Sequence, residues 1–407
     1  MSDPDWPFHA DDAAIFEALA SGAHAPSLRA YFGAANYADL AALAAGKRQK
    51  RRRSARVLIL PGIMGSKLGR APTRRKSGGV IWFDPATIST GALLELALPE
   101  GRELGPRGVQ LFAYARLLLE LRQQGYDADL HPYDWRLGLE ELGQLLAARI
   151  EAAAGPVILV GHSMGGLVAR MAMAMVPKRR VSKLILLATP NFGSFAVVQA
   201  LRGSYGFVRR VARLDLANSP LYLARHVFHT FTGLYHMLPS GGAPQVDDLC
   251  RASRWPTSGL QPDVAQLRQV AKVRAKMAPP DERMVQIAGV NQPTVVGVRR
   301  KASGFEYRMG WRGDGTVPLI MALLPKLPTY YVRELHARLP CNGAVIRGVI
   351  DIIRSGRAHT LPKRWRSRVE SLPNIDDATL SKVGHGKIDW LALDADTREA
   401  FMADLNS

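Results

Sequence analysis

Short apolar runs closed by glycine- or proline-bearing turns recur along the chain, with helix-like stretches between them. Val57-Leu58-Ile59-Leu60, Val157-Ile158-Leu159-Val160 and Leu184-Ile185-Leu186-Leu187 contain no polar residue. Such runs suit strands buried on both faces of a parallel sheet. Residues 126–130, 284–288 and 330–335 read as further strands, the last ended by His336. Residues 112–124 and 139–153 carry leucines at helical spacing, residues 344–353 a final core helix, and a shorter apolar helix is predicted near 91–98. This alternation predicts an α/β fold with a mostly parallel central sheet flanked by helices. Residues 195–280 interrupt it with Phe, Tyr and Leu mixed with Arg, and read as an inserted helical cap.

The pattern divides the chain into a small helical segment at 1–46, a linker at 47–56 and a first core part at 57–194. The cap at 195–280, a second core part at 281–355 and a surface-packed tail at 356–407 follow. Ile15, Phe16, Leu19, Leu28, Tyr31, Phe32, Leu40 and Leu43 give the first segment an apolar face. A unit that short buries little alone, so it is expected to dock on the core or on a protein partner.

Composition changes this picture in two respects. With 54 basic and 35 acidic residues the formal charge is +19, part of it in the run Lys47 to Arg56. A charge run is ordinarily a solvated linker; its functional alternative is contact with an anionic membrane surface. No aromatic interleaving or recognition motif points to nucleic acid. Two cysteines, no apolar run long enough to span a bilayer and an acidic N-terminus without an apolar signal region lead to a cytoplasmic expectation, peripheral at a membrane if the basic run engages one.

The chemistry centres on Val157 to Gly166, V-I-L-V-G-H-S-M-G-G. A strand, Gly161-His162-Ser163-Met164-Gly165 and a helix-forming stretch make the context of a nucleophile elbow, with Gly161 and Gly165 admitting the close turn. A serine hydroxyl needs a base and a group that orients it. In α/β-hydrolases these follow in the order Ser, acid, His. Asp314, in a Gly-Asp-Gly turn, and His336, at a strand end, fit that order. Taken alone, an Asp in such a turn is commonly only a turn residue. Rival acids are Asp281 and Asp351; rival bases are His359 and His385, while His162 should point away from Ser163. His226 and His229 have a zinc-pair spacing but no third ligand, so neither metal nor cofactor is expected.

Five motifs now stand in order: P-G-I-M-G-S at 61–66, P-Y-D-W-R at 132–136, G-H-S-M-G-G at 161–166, T-P-N-F-G-S at 189–194 and G-D-G-T-V-P at 313–318. With Y-H-M-L-P at 235–239 in the cap, the chain over about residues 55–355 resembles the lecithin:cholesterol acyltransferase family of α/β-hydrolases, which includes lysosomal phospholipase A2 and bacterial relatives. The resemblance implies Ser163 as nucleophile, Asp314 as acid and His336 as base, with the backbone N–H groups of Ile63 and Met164 as oxyanion donors. It marks Tyr133-Asp134-Trp135-Arg136 as a fingerprint whose Asp–Arg pair braces the fold. Eukaryotic relatives carry a disulfide in an N-terminal lid loop; residues 70–80 here have no cysteine, and the relatives' acyl acceptors are not carried over.

The implied activity is hydrolysis or O-acyl transfer on lipid esters through an acyl-enzyme. Two alternatives remain open on the sequence: a carboxylesterase for small soluble esters, and a recruited effector module docking through residues 1–46 or the basic run.

Overall fold

The computed structural model describes residues 3–46, 55–71, 78–240, 248–382 and 386–405. Most of the basic run (47–54), part of the arginine-rich loop (72–77) and His385 lie outside the described residues.

Six parallel strands form the central sheet in the order Thr329–Val332, Met284–Gly289, Val181–Leu187, Val157–His162, Arg56–Leu60, Asp127–Leu130. The strand leading to Ser163 is central, and all six of its residues are buried. That burial on both faces is what its apolar run required. Helices Leu111–Gln123, Leu139–Glu151, Met164–Met175 and Gly343–Ser355 flank the sheet, while Phe195–Leu201, Gly206–Leu214, Pro220–His226 and Val264–Ala275 make the inserted helical region. The architecture is that of an α/β-hydrolase. Among the described residues no helix is long and apolar enough to cross a membrane.

Several elements differ from the periodicity. The apolar stretch near 91–98 forms only a 3-10 turn, Ala92–Leu96, after a short helix at Pro85–Ser89, because Gly91 and Pro99 leave too few residues for more. The last sheet strand stops at Val332, and His336 instead opens a 3-10 helix, His336–Cys341. Two antiparallel sheets escape the pattern: Ser66–Gly69 with Val80–Trp82 and Gly105–Val109, and Thr294–Lys301 with Gly304–Gly310 and Ile375–Asp376.

The chain after residue 355 therefore does more than cover the surface. The Asp377 carboxylate accepts from Arg202 Nε at 2.8 Å, Phe305 N at 3.0 Å and the Tyr307 hydroxyl at 2.6 Å. Lys387 Nζ donates to the carbonyl of Ala212 (3.1 Å), in the last turn of Gly206–Leu214, and to that of Asn218 (2.5 Å) in the loop after it. At Ala212 the cation meets a helix carbonyl that has no partner within the helix.

The apolar face of the N-terminal segment is likewise used inside the chain. Phe8, Ile15, Leu19, Leu28 and Tyr31 belong to the main core. Fully buried Lys67 donates to the carbonyls of Pro7 and Ala10, each at 3.1 Å, and lies 3.8 Å from the Asp12 carboxylate. Trp390 Nε1 donates to Asp5 at 2.9 Å, joining the segment to the tail.

Buried histidines tie stability to pH, His131 and His236 among them. Burial, aided by neighbouring Arg149, pushes His131 down to about 4. Burial, aided by Arg274, pushes His236 down to about 4, and its Nδ1 accepts from Leu139 N at 3.0 Å. A free histidine titrates near 6.5, so the unfolded chain takes up these protons first as pH falls. Their contribution is intact above pH 6.5 and is lost on acidification toward pH 4, about 2 kcal/mol each at pH 5. Thermal melts should show a midpoint that drops between pH 6.5 and 4.5, and His131→Gln/His236→Gln should flatten that slope. An unchanged slope in the double variant would overturn the assignment.

Candidate active site

Ser163 stands at the end of the central strand with φ 52° and ψ −125°, outside the ordinary regions for a residue with a Cβ. The turn holds because glycines surround it. A Cβ on Gly161 would lie 2.6 Å from Gly166 Cα, and one on Gly165 would lie 2.5 Å from the Leu60 and Pro61 carbonyl oxygens. Ser163 N donates to Leu187 O at 2.9 Å, anchoring the turn to the neighbouring strand.

The residues singled out in sequence come together around this hydroxyl. His336 Nε2 is 2.9 Å from Ser163 Oγ, and His336 Nδ1 is 2.8 Å from Asp314 Oδ2. The other Asp314 oxygen accepts from the amides of Thr316 (3.0 Å) and Val317 (2.7 Å), and His336 N donates to Asp314 O at 2.8 Å. A carboxylate fixed by its own turn thus orients the imidazole, with the second ring nitrogen directed at the serine. Ser163 and Asp314 are buried; His336 is nearly so.

The rivals are occupied elsewhere. Asp281 pairs with Arg283 at 2.5 Å, Asp351 accepts from His359 N, and His359 bonds Ser355. His229 Nε2 donates to Leu201 O at 2.7 Å, while His226 lies against the Tyr222 ring.

Loop 61–66 runs beside the serine: a Cβ on Gly62 would fall 3.0 Å from Ser163 Cβ and 3.5 Å from its Oγ. Gly62 N is already taken, donating to the Tyr114 hydroxyl at 2.8 Å. Among the described residues the amides of Ile63 and Met164 have no protein acceptor. Unpaired amides beside a serine hydroxyl are placed where the charge of a tetrahedral intermediate could be received.

Sequence reasoning missed the support beneath this loop. The Tyr114 hydroxyl sits 2.8 Å from His162 Nδ1, and His162 Nε2 lies 3.0 Å from His336 O. The geometry assigns the tautomer: Tyr114 donates to Nδ1, and Nε2–H donates to the carbonyl. Burial first, and then the neighbouring His336, hold His162 well below its ordinary value, so it stays neutral. His162 does not bond Ser163, but it links the loop, through Tyr114, to the backbone of His336. The fourth motif has a related task. Asn191 accepts from Arg170 Nη1 on the elbow helix at 2.9 Å, and the Ser194 hydroxyl donates to Thr316 O at 2.5 Å.

A cavity of about 500 Å³ opens on Ser163 and His336. Trp82, Phe83, Phe112, Val197 and Phe207 give it apolar walls. Phe8 and Tyr31 of the N-terminal segment pack against two of them, Phe83 at 6.3 Å and Phe112 at 5.6 Å between ring centroids. Among the described residues Arg210, from the inserted helices, is the one arginine or lysine in the lining, with Asp404 3.7 Å from its Nε. Neither Tyr114 nor Arg210 lies in one of the five motifs.

Comparison with known proteins agrees with this architecture. The profile described as lecithin:cholesterol acyltransferase matches residues 107–344. No curated protein sequence matches the chain. Among solved structures, the chain superimposes on one in a Tle4–Tli4 complex with a TM-score of 0.53 and 13% identity, over 75% of this chain and 99% of that one. A mature lipase BlEst2 of Bacillus licheniformis matches at TM-score 0.36 and 14% identity, over 76% and 93% of the two chains. At 13% identity the superposition on the chain of the Tle4–Tli4 complex shows a shared fold.

Proposed function

Because the chain belongs to the lecithin:cholesterol acyltransferase family, within the broader group of lipid-ester hydrolases and acyltransferases, we propose that it cleaves lipid acyl esters through a Ser163 acyl-enzyme. The observation that carries this reading is the hydrogen-bonded series Ser163–His336–Asp314 at the floor of an apolar cavity. In this mechanism His336 Nε2 takes the Ser163 proton as Oγ attacks the ester carbonyl. The amides of Ile63 and Met164 receive the oxyanion, and Asp314 steadies the imidazolium. His336 then protonates the leaving alcohol. Water or a second alcohol attacks the acyl-enzyme, giving a fatty acid or a new ester.

The apolar walls support an acyl chain, and Arg210 supports a substrate with an anionic group such as a lipid phosphate. The net charge of +19 supports work at an anionic lipid surface.

The test is incubation of the purified chain with phosphatidylglycerol–phosphatidylcholine vesicles, with and without a long-chain alcohol, against a series of p-nitrophenyl esters. Fatty acid should be released from the vesicles, and esters of ten or more carbons should be preferred over acetate. An ester formed on the added alcohol would identify a transferase. Arg210→Gln should lower kcat/KM on phospholipid about tenfold or more, since a charged hydrogen bond contributes about 1.5–3 kcal/mol. Activity confined to short soluble esters would refute the lipid reading in favour of a carboxylesterase.

A further inference from the structure

Helix Leu111–Gln123 is preceded by Gln110 at its N-cap, a position usually held by Ser, Thr, Asp or Asn because their short side chains reach the first free amides. Gln110 does not cap: its side chain makes no bond to the helix. Its backbone is nonetheless fixed, since Gln110 N donates to Gly65 O at 2.9 Å and so ties this residue to the loop carrying Ile63. Gln110 and Tyr114 are four residues apart and both line the catalytic cavity.

The side chain itself is only 3% exposed, and among the described residues neither its Oε1 nor its Nε2 has a hydrogen-bond partner. A buried amide with both ends unpaired is rare in a folded protein, and in a cavity it points to a ligand. The amide offers an acceptor and a donor side by side. A phosphate or carboxylate would engage its N–H groups alone and leave Oε1 bare. An alkyl chain would engage neither. A hydroxyl, which donates and accepts at once, pairs with both.

We infer that Gln110 is a specificity-determining residue that binds a hydroxyl of a polyol on the alcohol side of the ester. This rests on the acyl-enzyme reading above. The hydroxyl held by Gln110 is not the one that reacts; it neighbours that one, as in glycerol. When a polyol attacks the acyl-enzyme, its reacting oxygen forms a bond to the carbonyl carbon and gives its proton to His336 Nε2. The bond to Ser163 Oγ then breaks, and His336 returns the proton to Oγ. Acylation by a monoacylglycerol runs through the same geometry in reverse, so one site serves both leaving alcohol and acceptor.

Two measurements separate this inference from its premise. In the first, wild type and Gln110→Leu are compared on a 1-monoacylglycerol and the methyl ester of the same acid. Wild type should prefer the monoacylglycerol, and the variant should lose tenfold or more of that ratio, as sites built around a hydroxyl do when the pairing is removed. A matching arm follows partition of one acyl-enzyme between glycerol and propan-1-ol, where the preference for glycerol should fall equally; a fall in one arm alone would overturn the single shared site.

In the second, Ser163→Ala protein with and without Gln110→Leu is titrated with a non-cleavable monoalkylglycerol ether and with its dimethylated analogue. The ether should bind more tightly than the analogue when Gln110 is present, and the difference should vanish in the leucine variant. Gln110→Met serves if the leucine variant misfolds. Ratios that do not move in either measurement overturn the inference. A binding difference that depends on Gln110, together with no ester cleavage by the wild-type protein, would retain the polyol site and refute the acyl-enzyme reading instead.

Discussion

Ser163→Ala is expected to slow fatty-acid release by about 10⁴-fold or more while leaving the fold intact. The size follows from what the substitution removes. Without Oγ there is no covalent route, and water attack assisted by the remaining groups retains only the residual advantage of oxyanion donors and binding. The fold should survive because alanine keeps the Cβ and meets the same backbone geometry at φ 52°, neither relieving nor adding strain. Ser163→Gly makes the complementary test. It too lacks Oγ, but glycine adopts positive φ freely, so its melting midpoint should lie at or above that of the alanine variant. Both variants should still bind a long-chain substrate analogue with near wild-type affinity, because the apolar walls are untouched. Release that persists within about a hundredfold of wild type would show that another group, or a contaminating enzyme, performs the cleavage.

What made these residues legible is local: each sits in or just after a turn that follows a strand. Ser163 follows a strand buried at every position, and Asp314 sits in a two-glycine turn whose amides bond its own carboxylate. Local rules of strand, turn and spacing describe such places. His336 was reachable by the same local rules, although the strand before it ends three residues early. Gln110 and Tyr114 were not reachable. Their significance lies in contacts across the chain, such as the 52-residue span from Gly62 N to the Tyr114 hydroxyl, and periodicity carries no information about those. The same limit hid the second antiparallel sheet, whose third strand is only Ile375–Asp376 and is specified by its pairing with Glu306 and Tyr307. The N-terminal segment shows its apolar face in the sequence as helically spaced positions such as Ile15, Leu19 and Leu28. What covers that face, including the carbonyls reached by buried Lys67, is a tertiary fact.

Arg136→Met should destabilise the protein by about 3–5 kcal/mol and depress activity with it. The Arg136 side chain is fully buried and holds Asp134 in a two-point pair, Nε to Oδ1 at 2.8 Å and Nη2 to Oδ2 at 2.6 Å. Its remaining donors reach the carbonyls of Leu96 (2.9 Å) and Gly101 (3.0 Å), so one guanidinium satisfies a carboxylate and two loop segments. Methionine fills similar space but leaves the Asp134 charge and both carbonyls unpaired. Lysine would not rescue it, because a single ammonium cannot match that fork. Activity should fall because the same turn holds the loop beside Ser163. The Tyr133 hydroxyl donates to Pro61 O at 2.6 Å, Tyr133 N to Ser66 Oγ at 3.0 Å, and Trp135 Nε1 to Ser66 O at 3.0 Å. Both ends of 61–66 are therefore pinned by residues 133–135, which Arg136 locks in place. Asp134→Leu/Arg136→Met separates charge from packing: with no buried carboxylate left unpaired, it should regain part of the lost stability. A single variant that melts like wild type would mean that the pair braces nothing. A double variant no more stable than the single would mean that the loop carbonyls, rather than the Asp134 charge, set the cost.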